Sequence, residues 1–361
     1  MQAGNAVKEA VLQVDPGAEV AVLPIADGGE GTVEALCAGM GGKLQEVIVS
    51  GPQGDPVKAQ YGILPDGRTA VMEMSAAAGI TLIPASSRNP MRTTTYGVGE
   101  MIADAISRGC RHFIIGIGGS ATNDGGVGML SALGFRFLDG NGTPISAGAA
   151  GLEKLASIYV DEALPQLKEC IFRIACDVTN PLCGEQGCSA VYGPQKGADE
   201  EMIRKMDAWL NDYADLVSKT FPNADKEYPG VGAAGGLGFA FRSFLNGALE
   251  SGIQIILDEI KVVKHIQNAD IVVTGEGRLD YQTVMGKAPA GIANIAKKHG
   301  KKVIAFSGCL GDNAAICNDH GIDAFFPILP GVVTLEEAMN PQNAYENLRN
   351  TAVQVFRLLC L

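Results

Sequence analysis

IVVTGEGRLD, residues 271–280, carries a short apolar run into a turn of glycines and charged groups. The same apolar shape returns as VIAFS at 303–307 and AFFPI at 324–328, with helix-period segments near 287–298, 312–319 and 343–359. Apolar strands alternating with helices specify a parallel sheet covered on both faces, hence an α/β fold. The opening of the chain fits the same sheet: a helix over 5–14, a strand EVAVLP at 19–24 and a helix over 32–39. Residues 44–74 have a different texture. LQEVIVSG, VKAQYGIL and TAVMEMS are separated by turn signals at Gly51-Pro52, Asp55-Pro56 and Pro65-Asp66-Gly67, which predicts an antiparallel meander. That change divides the chain into residues 1–43 plus 266–361, and an inserted domain, 44–265. Within the insert the pattern predicts a helix at 96–108, strands at 113–117, 135–139 and 172–175, and helices at 124–133 and 199–219.

Composition narrows the function. The 361 residues include 47 glycines, about 13% against an ordinary ~7%. There are 17 prolines and no Gly-X-Y period, so the excess belongs to tight loops of a folded protein. Forty acids against 28 Lys and Arg leave a net charge of -12, which repels phosphate backbones and excludes nucleic acid as the main partner. No apolar stretch is long enough for a membrane span, and the first residues resemble no signal peptide. Nine irregularly spaced cysteines read as reduced thiols of a cytoplasmic protein. The oligomeric state stays open, a homo-oligomer included.

The glycines gather at strand ends beside polar groups. ADGGEGT (26–32) places Asp27 and Glu30 in a strand-to-helix turn, where they serve equally as substrate ligands or as a cap with a first-turn acid. GIGGSATNDGG (116–126) follows an apolar strand. It fits the G-x-G-x-x-A dinucleotide pattern at Gly116, Gly118 and Ala121, with Asp139 ending the next strand. A nicotinamide-dependent dehydrogenase is therefore one reading. Ser120, Thr122, Asn123 and Asp124 favour phosphoryl transfer instead, which uses hydroxyls, an amide and a metal-binding carboxylate. ACDVTNPLCG (175–184) presents Asp177 and Asn180 at a strand end. GPQKGA (193–198) presents Lys196, either a solvated charge or a partner for an anion. GAAGGLG (232–238) has no charge and reads as a close-packed helix start. TGEGRLDYQT (274–283) and Lys287 gather Glu276, Arg278, Asp280 and Lys287 after a parallel strand, where open α/β sheets bind ligands. No P-loop, protein-kinase signature or G-x-S-x-G elbow occurs, and the four histidines lie outside the glycine clusters.

Taken together, these six motifs resemble, in the same order, the loops of bacterial glycerate kinases of the type-1 family. The resemblance spans essentially the whole chain. It implies ATP-dependent phosphorylation of D-glycerate with Mg2+, 2-phosphoglycerate being favoured over 3-phosphoglycerate. It also implies two α/β domains: a flavodoxin- or Rossmann-like one containing both chain ends, and the inserted one, with the active site in the cleft between them. On that frame Gly118, Gly119, Ser120, Thr122 and Asn123 face the nucleotide, and Asp124 or Asp177 the metal. Asp27, Glu30, Asn180 and Glu276 bind substrate, while Asp177, Asp280, Lys196 and Arg278 are the catalytic candidates. Members of that family open with a strand and an Asp-Ser-Phe-Lys-Gly-type loop, whereas this sequence opens inside the first helix. A shortened N terminus is thus expected, and with it, as an alternative, a catalytically impaired anion-binding form.

Overall fold

The computed structural model describes residues 2–25, 31–285 and 287–361. Two compact units emerge, Gly28–Ile255 and Met1–Asp27 with Ile256–Leu361.

The larger unit is organised by a six-stranded sheet. Its strands are β1 (Lys43–Ser50), β2 (Pro56–Ile63), β3 (Thr69–Glu73), β4 (His112–Gly116), β7 (Ile171–Ala175) and β8 (Ala248–Glu250), hydrogen-bonded in that order. β5 (Arg136–Asp139) and β6 (Leu155–Tyr159) form a separate antiparallel pair. β1, β2 and β3 are the expected antiparallel meander, and β3, β4, β7 and β8 then run parallel. β4 is buried from Phe113 to Gly116, so its run FIIG is apolar throughout rather than alternating. Phe113 and Phe172, cross-strand neighbours, stack at 4.9 Å between ring centroids within the main core. The helix Thr32–Met40 buries Val33, Leu36 and Cys37 and packs on β2 and β3, as part of this unit.

The smaller unit carries a three-stranded parallel sheet of β9 (Ile271–Leu279), β10 (Lys302–Leu310) and β11 (Ala324–Pro327), with β10 central. Helix Gln2–Val14 and helix Pro341–Leu359 pack together, burying Ala6, Ala10, Leu348 and Ala352 in one cluster with Ile304 and Phe306 of β10. Ala at helix positions 6 and 10, one turn apart, lets the two helices approach closely.

Four expected elements differ. The apolar run from Ile271 does not give way to a turn of glycines after Thr274, because β9 stays paired with β10 through Gly275 and Gly277 to Leu279, and the helix expected near 312–319 is confined to Ile316–Asp319. Residues 19–24 form no strand, because alternation of apolar residues specifies a face but supplies no hydrogen-bonded neighbour, and among the described residues none pairs with them. The helix expected from 124 begins at Val127, because Gly125 and Gly126 take left-handed backbone, φ +63 and +76, which a right-handed helix cannot include. Among the described residues no helix is long and apolar enough to cross a membrane, and all nine cysteines are free thiols.

Candidate active site

The C-terminal ends of β3, β4, β7 and β8 lie side by side, because these strands are parallel and in register from Glu73↔Gly116 to Ala175↔Glu250. The chain leaving β4 makes the central loop. Gly118 and Gly119 are exposed, and a Cβ built on Gly118 meets nothing within 4 Å. Backbone is therefore presented openly at a strand end, as a phosphate-binding turn requires. The residues that follow turn inward: Ser120, Thr122, Asn123 and Asp124 are all buried.

Three segments remote in sequence hold this loop. From 93–95, the Thr93 hydroxyl donates to the Ala121 carbonyl at 2.8 Å, and the Thr95 N–H and hydroxyl donate to Asp124 Oδ2 at 2.8 and 2.9 Å. From the 193–197 turn, Lys196 Nζ donates to Ser120 Oγ at 2.8 Å and to the Thr122 carbonyl at 2.6 Å. From 232–238, Gly235 accepts from the Gly125 N–H at 2.9 Å. Gly235 has φ +68, and a Cβ there would stand 2.1 Å from the Thr122 carbonyl oxygen, so only glycine permits this approach. GAAGGLG is thus a packing device. Its Ala234, Gly235 and Gly236 are left-handed, a turn ahead of the regular helix rather than the helix start itself.

Asp124 is 1% exposed, and its two oxygens accept from Thr95, Gly126 (3.1 Å) and Gly128 (3.3 Å). Burial pushes its pKa up while these donors pull it down. It clamps the loop. Lys196 is 2% exposed rather than solvated, and burial pulls its pKa down to about 8. Asn123 Nδ2 donates to Ser189 Oγ at 2.9 Å, while the Thr122 hydroxyl and Asn123 Oδ1 are buried without a hydrogen-bond partner. Asp177 is exposed at the end of β7 and accepts from the Gly252 N–H at 3.1 Å. Asn180 is engaged locally, donating to the Gln186 carbonyl and accepting from the Tyr192 hydroxyl at 2.7 Å.

The dehydrogenase reading fails here. Asp139 ends β5, which is outside the parallel sheet; the neighbours of β4 are β3 and β7. Its Oδ1 accepts from the N–H groups of Asn141 and Thr143, both at 2.9 Å, so it closes a local turn. The acid that the dinucleotide pattern relied on, Asp139, therefore does not stand beside β4, and Glu73 at the end of neighbouring β3 is taken up by the N–H groups that open helix Thr32–Met40.

In the smaller unit, Glu276, Arg278 and Asp280 stand together at the end of β9. Asp280, buried, accepts from the Gln282 N–H at 2.9 Å, and Arg278 Nε lies 3.3 Å from its Oδ2. Thr283 donates to Glu276, with Lys287 Nζ 3.9 Å away. The Arg278 side chain is 59% exposed, a cation fixed at its base and open at its tip. Asp27 and Glu30 lie outside the described residues.

Three contributing residues, Thr93, Thr95 and Glu73, belong to none of the glycine motifs. Thr93 and Thr95 belong to a run of threonines at 93–95, whose signal was hydroxyls ahead of a helix. Glu73 ends β3, and its carboxylate accepts from the Val33 N–H at 3.1 Å and from the backbone of Thr32 and Gly31. Burial raises its pKa, with Glu34 adding to the rise.

A family model described as the glycerate kinase family matches residues 1–360. The chain belongs to the glycerate kinase family. It is 46% identical over 347 residues to the glycerate 2-kinase of Escherichia coli K12, covering 96% of this chain and 91% of that one. It is 45% identical over 352 residues to the glycerate kinase of Bacillus subtilis 168, covering 98% and 92%. A crystal structure from Salmonella typhimurium LT2, assigned as a glycerate kinase 2, matches with a TM-score of 0.92 at 44% identity, covering 99% of this chain and 94% of the other. The family resemblance read from the six motifs is therefore borne out, as is the α/β class. The expected shortened N terminus is not borne out, and the impaired form that rested on it has no support.

Proposed function

We propose that this chain is an ATP-dependent glycerate kinase that phosphorylates D-glycerate, at the 2-hydroxyl in preference to the 3-hydroxyl. A kinase family implies ATP as phosphate donor. The observation that carries the reading is the exposed Gly118–Gly119 turn at the end of β4, braced from behind by buried polar groups. Its backbone N–H groups suit the donor's phosphates. The preference for the 2-hydroxyl rests on the name of the Escherichia coli relative.

The glycerate oxygen attacks the γ-phosphorus, the bond to the β–γ bridging oxygen breaks, ADP leaves, and the hydroxyl proton passes to a carboxylate. Asp177 and Asp280 are the carboxylates available for orienting that hydroxyl and taking its proton. Arg278, whose Nε faces Asp280 and whose side chain is largely exposed, balances the glycerate carboxylate, and Glu276 holds a hydroxyl. Catalysis of this kind is mostly positioning and charge neutralisation.

Mg2+, when bound with ATP, would neutralise charge on the phosphates. Asp177, exposed at a strand end, fits the single carboxylate that such a substrate-borne ion takes. Asp124 does not fit, since its lone pairs are committed to buried N–H and O–H donors. Among the described residues no group of three or more His, Cys, Asp or Glu could hold a metal.

The test is ADP release with D-glycerate, ATP and Mg2+, the product distinguished by coupling through an enzyme that accepts only 2-phosphoglycerate. No release above blank would overturn the kinase reading; release without coupling would overturn the regiochemistry.

A further inference from the structure

We propose that Lys196 is a positioning residue, which holds Ser120 from beneath so that the serine hydroxyl proton points out to a donor phosphate. The proposal rests on the kinase reading above and concerns how its phosphate turn is held. Lys196 Nζ spends two donors on the loop, at 2.8 Å to Ser120 Oγ and 2.6 Å to the Thr122 carbonyl. Ser120 Oγ makes no other hydrogen bond among the described residues. A hydroxyl that accepts through its oxygen from an ammonium keeps its own proton for a different acceptor, and the adjacent charge makes that proton a stronger donor. The next residues back along the chain, Gly118 and Gly119, are the exposed ones.

The turn that carries the lysine is built for close packing. Gly197, at φ +91, approaches so tightly that a Cβ would lie 2.4 Å from the Arg88 carbonyl oxygen. Arg88 Nη1 donates back to the Gln195 carbonyl at 3.4 Å. Among the described residues the hydrogen-bond partners of the ammonium are uncharged, the Ser120 hydroxyl and the Thr122 carbonyl, while Cys188 on the neighbouring helix and Asp124 in the loop are the titratable groups that act on it. A buried cation without a contacting anion is costly, and a phosphate on the outer face of the loop supplies the missing charge. Asp124 is already committed to its own donors.

The pH dependence has a definite sign. The folded ammonium titrates at about 8, against 10.5 for an ordinary lysine. Above about 8 the lysine is neutral and the hold on Ser120 weakens. Over the same window the unfolded chain binds more protons than the folded one, so this group makes folding stability rise with pH. Loss of binding there is not unfolding.

The experiment titrates ADP and, separately, inorganic triphosphate into the full chain by calorimetry from pH 7 to 9.5. Wild type, Lys196→Met and Ser120→Ala are compared, and melting temperature is followed in each. Wild-type affinity is expected to fall about tenfold with a midpoint near 8, the value of one charge-supported hydrogen bond. Ser120→Ala is expected to start about tenfold weaker and to lack that fall, and Lys196→Met to behave likewise. A pH fall unchanged in Ser120→Ala, or a wild type flat to pH 9.5, overturns the proposal. Ser120→Ala and the wild-type profile decide the matter even if Lys196→Met does not fold. Triphosphate binding with the fall but without glycerate turnover would sink the kinase reading alone; turnover without the fall would sink only the role of Lys196.

Discussion

Replacing Asp124 by asparagine separates a clamp from a metal ligand. The carboxylate takes Thr95 N–H at 2.8 Å, Thr95 hydroxyl at 2.9 Å and Gly128 N–H at 3.3 Å on one oxygen, and Gly126 N–H at 3.1 Å on the other. An amide offers one oxygen. Turned to keep the Thr95 bonds, it points an NH2 at the Gly126 N–H, and that buried donor loses its acceptor at a cost of about 1–3 kcal/mol. The bonds that remain lose their charge assistance. Against this, a neutral amide escapes the desolvation that pushes the Asp124 pKa up. The balance is a destabilisation of about 2 kcal/mol, or roughly 4–8 °C in melting temperature for a unit of this size. A thermal melt followed by circular dichroism reads it directly. An unchanged melt combined with a raised Mg2+ requirement for ADP release would refute the clamp and return Asp124 to the metal.

Gly118→Ala places its methyl in open space, so the melt should move by less than about 0.5 kcal/mol. Nucleotide affinity by calorimetry should nonetheless drop, because backbone no longer meets phosphate unobstructed. Gly235→Ala meets the Thr122 oxygen at 2.1 Å with a left-handed backbone, and should cost more than about 3 kcal/mol or yield no soluble protein on expression. Glu73→Ala strips the start of helix Thr32–Met40 of its acceptor; urea unfolding should show a loss of about 1 kcal/mol. Arg278→Ala, at a largely exposed side chain, should leave the melt in place and raise the glycerate KM at least tenfold in the ADP-release assay.

What sequence made legible was the set of places where backbone must be bare. Gly118–Gly119 stands at a strand end because glycine there follows an apolar run, a local pattern; 274–277 has the same pattern yet lies within β9, where Gly275 packs against the Phe306 carbonyl of β10. The direction in which a side chain points after the turn is not local. Lys196 reads the same whether solvated or buried, and only the packing of 193–197 against Arg88 turns it inward. Asp124 reads as a ligand until Thr95, almost thirty residues earlier, is seen to donate to it twice. The segment 19–24 has the composition of a strand, yet pairing is a property of a neighbour that it does not itself encode.

The smaller unit is stitched from both ends of the chain: Ala6 and Ala10 are buried with Leu348 and Ala352. During synthesis the first helix emerges with that apolar stripe uncovered, and its partner helix follows more than three hundred residues later. At ~5–20 residues per second the wait is roughly 15–65 s. The larger unit, with every segment that braces the glycine turn, is by then complete. Its phosphate turn can be assembled on the ribosome while the first helix is still in need of cover, so a chaperone that shields short apolar helices should bind nascent chains of about 260–340 residues and release them when helix Pro341–Leu359 arrives.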